Sequence, residues 1–111
     1  MRLRSRVKFV DERIMRAYYS LERSDEAERG LFKRLTRAFS DIEENAFCGI
    51  QIRKRLIPKM YLKKYGVDNL WKYDLPKSWR LLYSIRRDEI IVVSIILEWL
   101  PHKEYGQRFG Y

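Results

Sequence analysis

The stretch WKYDLPKSWRLLYSI, residues 71–85, decides the fold. Trp71, Tyr73 and Leu75, then Trp79, Leu81, Tyr83 and Ile85, fall on every second position, which is the period of a strand with one face buried. Pro76, Lys77 and Ser78 interrupt the alternation, so the two halves read as antiparallel strands joined by a three-residue loop. The loop sets the register, with 75 facing 79 and 74 facing 80; a slip by one residue would turn the whole aromatic row into solvent. In this register Lys72, Asp74, Arg80 and Leu82 share the opposite face, which is either an ordinary solvated surface or a site.

Downstream, Arg86, Arg87 and Asp88 mark a second tight turn, and residues 89–99 form a third strand. That strand is apolar on both faces from Ile90 to Ile96, which argues for a central place in the sheet. Pro101 is placed to start a short terminal helix or turn, PHKEYGQRFGY. Upstream, residues 50–68 fit no single period and are broken by Pro58; they read as a basic connector with some strand. Before them, SDEAERGLFKRLTRAFSDIEENAF opens with a Ser24 cap and acids in its first turn, then buries Ala27, Leu31, Leu35, Ala38 and Ile42 with Phe32 and Phe39 beside them. Gly49 marks its stop. A first helix, capped by Asp11, carries Ile14, Ala17, Tyr18 and Leu21 at helical spacing, and the break between the two helices is short enough to predict antiparallel packing. Residues 3–10 alternate, with Arg2, Arg4, Arg6 and Lys8 along one face of a short strand.

The order predicts an α+β fold in one domain, 1–111: an N-terminal strand, an antiparallel helix pair, then a three-stranded antiparallel meander with a short C-terminal helix or turn. The helix pair covers the aromatic face, leaving Lys72 and Arg80 exposed on the other.

Charge narrows the function. The net charge is +9, and residues 47–111, with 13 Lys and Arg against 6 Asp and Glu, hold +7 of it. An excess concentrated where the strands lie suggests nucleic acid or an acidic protein partner over general solubility. The single cysteine, Cys48, excludes an internal disulfide, suits a reducing compartment and is expected to fill a core. The longest apolar run, broken by Ser94 and closed by Glu98, falls far short of the roughly 20 residues that span a bilayer. The start MRLRSRVKFV lacks the apolar centre of a signal peptide, so a cytoplasmic protein with no membrane partner is expected. Arginine outnumbers lysine 15 to 9, while Gln, Asn and Thr together count five, a composition that hints at a thermophile.

One histidine, one cysteine and scattered carboxylates supply no transition-metal site, and no glycine loop cradles a phosphate, so no metal and no cofactor is expected. What remains is cations and phenols: Lys72, Arg80, the Arg2, Arg4, Arg6 and Lys8 row, Lys77 in the loop, and His102, Lys103, Tyr105 and Arg108 at the end. Metal-free RNA cleavage needs a base for the 2′-hydroxyl proton, a fixed cation for the charge building on phosphorus and an acid for the leaving oxygen. This set contains groups for all three.

LWKYDLPKSWRLLYSI, IIVVSIILEW and HKEYGQRFGY, behind a strand and a helix pair, resemble the RelE/ParE superfamily of toxin–antitoxin toxins, particularly its archaeal RelE-like members. The resemblance covers nearly the whole chain in element order and is sharpest over 70–105. It implies a microbial-ribonuclease-like fold, metal-independent cleavage of messenger RNA in the ribosomal decoding site, and restraint by an acidic, RelB-like antitoxin. Under it, Lys72 matches a strand lysine, Arg80 in WRLLY the arginine of the next strand, and Tyr105 a C-terminal tyrosine; His102 stands near a histidine of some members. Asp74 departs from the pattern, since RelE has a second lysine there. The implied roles are phosphate binding and transition-state stabilisation for Arg80, and proton transfer for Lys72 with His102 or Tyr105. Arg2, Arg4, Arg6, Lys8, Lys77, Lys103 and Arg108 would bind RNA. Two other readings stay open: a ParE-like toxin that binds a protein such as gyrase and cuts nothing, and a relic that only binds nucleic acid. Arg80 and Asp74 also read, more simply, as a cross-strand ion pair.

Overall fold

The structure is a computed structural model, and it describes residues 2–87 and 91–110. Asp88 of the expected turn, the first residues of the expected last strand, Glu89 and Ile90, and Tyr111 lie outside the described residues, whereas Arg86 and Arg87, expected in that turn, continue the preceding strand and pair with Val93 and Val92. The chain runs β1 (Arg6–Phe9), α1 (Glu12–Leu21), α2 (Glu26–Glu44), β2 (Ile50–Ile52), α3 (Lys59–Tyr65), β3 (Leu70–Leu75), β4 (Trp79–Arg87), β5 (Val92–Pro101) and α4 (His102–Phe109), with short 3₁₀ turns at Ala46–Cys48, Lys54–Leu56 and Pro76–Ser78. The α+β class holds.

The five strands form one sheet in the order β1-β5-β4-β3-β2. Strands β2 to β5 are an antiparallel meander, and β1 lies parallel to β5 at the far edge. The hairpin register is the expected one: Leu75 faces Trp79 and Asp74 faces Arg80. Its tight loop needs left-handed backbone at Lys77 (φ 62°) and Ser78 (φ 64°). The doubly apolar β5 sits between β1 and β4, inside the sheet as its composition predicts.

Strand β1 is shorter than expected, because the residues before it bond elsewhere. The Ser5 N–H donates to the Glu43 carbonyl (2.9 Å) and the Leu3 N–H to Asn45 Oδ1 (3.0 Å), tying the backbone of this segment to the end of α2, so that Ser5 reaches β5 only through its hydroxyl, 2.8 Å from Ser94 Oγ. Asp11 caps α1 by accepting from the Ile14 N–H (2.9 Å), but α2 is capped by Asp25, which accepts from the Glu28 N–H (2.9 Å). Ser24 instead finishes α1, its hydroxyl donating to the Ser20 carbonyl. The buried stripe of α2 begins at Leu31, and Ala27 is exposed.

Helices α1 and α2 cover the aromatic face. Tyr18 stacks on Phe32 (4.6 Å between centroids) and touches Phe39, and Leu31, Leu35, Ala38 and Ile42 pack with Leu75, Leu81, Tyr83 and Ile96. Two phenols are fixed in this layer: Tyr73 donates to Asp41 (2.5 Å) and Tyr83 to the Ala46 carbonyl (2.7 Å). Gly49 is needed for close approach: a Cβ there would lie 2.5 Å from the Lys72 carbonyl oxygen and 2.7 Å from the Tyr83 hydroxyl. Helix α2 itself stops four residues earlier, at the Asn45 cap. Cys48 is exposed in the turn that follows, not in a core.

The opposite face is not open. The segment read as a basic connector contains β2 and α3, the latter starting after Pro58 and ending at Gly66 in left-handed backbone (φ 64°). Ile57, Tyr61 and Val67 from this segment, with Tyr105 of α4, bury Leu70, Leu82, Leu97 and Leu100 in a second apolar cluster. Lys72 and Arg80, expected in solvent, therefore stand at the margin of a packed layer, with side chains 20% and 17% exposed. No described helix is long and apolar enough to cross a membrane.

Candidate active site

Three elements bring two cations and an imidazole to one rim. Lys72 comes from the middle of β3, Arg80 from the start of β4, and His102 from the first residue of α4. Register explains the first two: Lys72 faces Leu82, two residues beyond Arg80 on the same side of the sheet. His102 arrives because Pro101 ends β5 opposite Trp79 and begins α4, folding the helix back beside Arg80.

The contacts are close. Arg80 Nη2 lies 3.2 Å from His102 Nδ1. A guanidinium can only donate, so Nδ1 accepts and the neutral ring carries its proton on Nε2, turned away from Arg80. Arg80 Nη1 donates to the Trp79 carbonyl (3.2 Å), which fixes the plane of the fork. Lys72 Nζ donates to Asp74 Oδ1 and Oδ2 at 3.2 and 3.4 Å. Arg80 Nε lies 2.9 Å from the same Oδ1, close enough to be an ion pair, yet that nitrogen is buried and has no hydrogen bond of good alignment. The Asp74–Arg80 contact is thus Coulombic, and Lys72 holds the directional bond. Asp74 itself is half-exposed, so the pairing is screened by water and its stabilisation is small.

Tyr105 lies under both cations. Its ring centroid is 5.7 Å from Lys72 Nζ and 5.9 Å from the Arg80 guanidinium carbon, a cation–π floor, and the residue is 2% exposed. Tyr105 stacks on Phe109 one turn later (4.4 Å) and belongs to the second apolar cluster. As placed, it supports the cations and does not reach outward.

The expected RNA-binding residues divide. Lys103, exposed beside His102, adjoins the rim. Arg2, Arg4, Arg6 and Lys8 are all exposed. Arg6 and Lys8 share the sheet face of Arg80 through the pairs Arg6–Val93 and Lys8–Ile95, but β1 is two strands from β4, and Arg80 pairs with Leu100. That offset is on the order of 15 Å at normal strand spacings, so the row forms a separate basic edge. Lys77 is exposed in the hairpin loop and faces the start of α2 near Asp25 and Lys33.

Arg108 is committed inward. Its Nη1 lies 2.5 Å from Glu98 Oε2, which also accepts from the Tyr61 hydroxyl at 2.6 Å. Burial and the neighbouring carboxylate push the Tyr61 phenol well above its ordinary value, and the two hydrogen bonds push Arg108 up against a desolvation that opposes them. This trio joins α3, β5 and α4, and so fixes the helix that carries His102. Sequence reasoning missed it; the signal was Glu98, a lone carboxylate closing the apolar run of β5.

Among the described residues, no group of three or more His, Cys, Asp or Glu side chains is placed to hold a metal ion. The chemistry available at the rim is that of two strong cations, an imidazole and one carboxylate. No family model matches the chain, and neither a curated protein nor a solved structure matches it significantly.

Proposed function

We propose that this chain is a toxin of the RelE/ParE type: a cytoplasmic, ribosome-dependent endoribonuclease that cuts messenger RNA without a metal and is restrained by an acidic, RelB-like antitoxin. The observation that carries the reading is that Arg80 of β4 touches His102 of α4 and shares the Asp74 carboxylate with Lys72 of β3, so three separate elements bring these groups to one rim. Arg80, its plane fixed by the Trp79 carbonyl and the Tyr105 ring, holds the scissile phosphate and stabilises the charge that grows on its oxygens. Proton transfer falls to His102 and Lys72: once Arg80 turns to the phosphate, the freed lone pair of His102 Nδ1 takes the 2′-hydroxyl proton as that oxygen attacks phosphorus, and the Lys72 ammonium gives a proton to the departing 5′-oxygen. Tyr105 acts from below as support. An acidic antitoxin segment competes for the same cations, consistent with the +7 excess after residue 46.

The test is Arg80→Gln, which keeps the stem over Tyr105 and removes the charge. Loss of one preorganised donor at a transition state costs on the order of 10² to 10³ in rate. Ribosome-bound message cut by Arg80→Gln at near the wild-type rate overturns the assignment.

A second reading, a nucleic-acid or protein binder that cuts nothing, is favoured by Asp74, whose carboxylate already occupies both cations. Asp74→Asn separates the two. Release of Lys72 and Arg80 speeds cleavage on the first reading; on the second it tightens binding and yields no cut product.

A further inference from the structure

The far end of β3 and β4, about 20 Å along β4 from Arg80 at normal strand rise, carries a different assembly. A cleft of about 550 Å³ opens there between the start of β3, the end of β4 and the turn after α3, lined by Phe47, Tyr65, Asn69, Trp71, Arg86 and Arg87 among others. That volume falls in the range of small-ligand sites. Its wall is rigid: Asn69 Oδ1 accepts from the Ile85 N–H (2.9 Å) and the Ser84 hydroxyl (3.2 Å), while its Nδ2 donates to the Ile85 carbonyl (2.8 Å). Asn69 is therefore a clamp between strands, already satisfied.

The aromatic groups form a row that runs outward. Tyr83 is fully buried and near-parallel to Trp71 (6.2 Å, 28°), and Trp71 is near-parallel to Phe47 (5.4 Å, 26°), the last two being half-buried. Over Phe47, at 5.8 Å from its centroid, lies the guanidinium of exposed Arg87. A flat cation on the outermost ring occupies the place that another planar group could take. Neither Arg86 nor Arg87 has an ion pair among the described residues.

From this geometry we infer that the cleft holds an unstacked base of single-stranded RNA: the base stacks on Phe47 in place of Arg87, and Arg86 and Arg87 turn to the flanking phosphates. The RNA source rests on the reading of the Arg80 rim; the planar, anionic ligand class rests on the cleft alone. An acidic apolar peptide fits less well, because the platform is aromatic and the cations are guanidinium forks.

The test is binding of the full chain to a labelled single-stranded RNA of about a dozen nucleotides, by fluorescence anisotropy, with 4-thiouridine photocrosslinking mapped by mass spectrometry. Phe47→Leu, which keeps apolar bulk but removes the ring, should weaken binding roughly 5- to 100-fold, the loss of one base–aromatic stack. Crosslinks should fall on the peptides holding Phe47 or Trp71, and the melting temperature of Phe47→Leu should stay near wild type. Binding unchanged in Phe47→Leu but lost in Arg80→Gln overturns the cleft and leaves the rim reading intact. Wild-type protein that binds no RNA but takes adenosine monophosphate in a Phe47-dependent way overturns the RNA source for both sites and makes the cleft a mononucleotide site. Crosslinks confined to the peptide holding His102 also overturn the inference.

Discussion

The two faces of the sheet are built from the same strands and use their polar groups differently. Under α1 and α2, each buried hydroxyl is spent locally: Tyr73 on Asp41, Tyr83 on the Ala46 carbonyl, and Tyr18 on Thr36. Under α3 and α4 the layer is thinner, and one trio, Tyr61, Glu98 and Arg108, fixes the helices, while Lys72 and Arg80 meet at its margin around a single half-exposed carboxylate. The first face is finished as a core. The second combines a core with a rim where charge is held in place but not buried out of reach, which is what binding an anion requires.

Neighbouring residues of β4 test this contrast most strongly. Leu81 and Leu82 are both fully buried, on opposite faces. Leu81→Ala and Leu82→Ala should each cost about 2–5 kcal/mol in urea unfolding. A cost below about 1 kcal/mol for Leu82→Ala alone would mean that α3 and α4 cover the sheet without packing on it.

Glu98→Gln should cost less, roughly 1.5–3 kcal/mol, the range for a hydrogen bond to a charged group, because Arg108 keeps a neutral acceptor. It should also slow any Arg80-dependent cleavage, since α4 would no longer hold His102 beside Arg80. Full cleavage by a measurably destabilised Glu98→Gln protein would separate α4 anchoring from the rim.

Alkali should strain both faces. Burial raises the Tyr73 phenol to about 12, helped by the Asp41 carboxylate, and pushes Tyr83 and Tyr61 up as well. Each folded phenol holds its proton more tightly than the unfolded one, so the stability is complete below pH 10 and drains away as pH rises from there toward 12. Melting temperature should fall through that window, and Tyr73→Phe should fall less steeply. A flat profile to pH 12 would show that these phenols ionise without resistance.

The smallest effect concerns the basic edge at β1. RNA affinity should fall linearly with log salt, with a slope near −0.7 for each phosphate neutralised on a single strand. Removing Arg4 and Arg6 together should flatten it by roughly one to two units with sequence preference unchanged. Affinity insensitive to salt between about 50 and 200 mM would assign the charge to an acidic protein instead.

The hairpin was legible to the residue, because seven apolar positions at period two and a Pro-Lys-Ser loop leave one register. The helix pair was legible from its stripes. Residues 50–68 were not: they hold a three-residue strand, a three-residue turn and a seven-residue helix, each too short to accumulate a period of its own. Pro58 before KMYLKKY and Gly66 after it were the available signals for a helix start and stop. Missing α3 made the second face look solvated, although Leu70 and Leu82 on it called for a cover. Asp74 opposite Arg80 was readable as an ion pair, whereas the approach of His102 depends on where α4 folds, which no local pattern specifies.

Strand β1 has a consequence for how the molecule assembles. Its parallel pairing joins Arg6 to Val93 and Lys8 to Ile95, and Ser5 shares a hydrogen bond with Ser94. The antiparallel meander can zip from its hairpin as soon as β3 and β4 exist, but this edge brings together residues separated by most of the chain, so the entropy of closing that long loop is offset only when β5 is already present. The N-terminal strand is made first and docks last. The slow phase of refolding should therefore be the docking of β1, and a chain halted before β5 holds its first strand without a partner in the sheet.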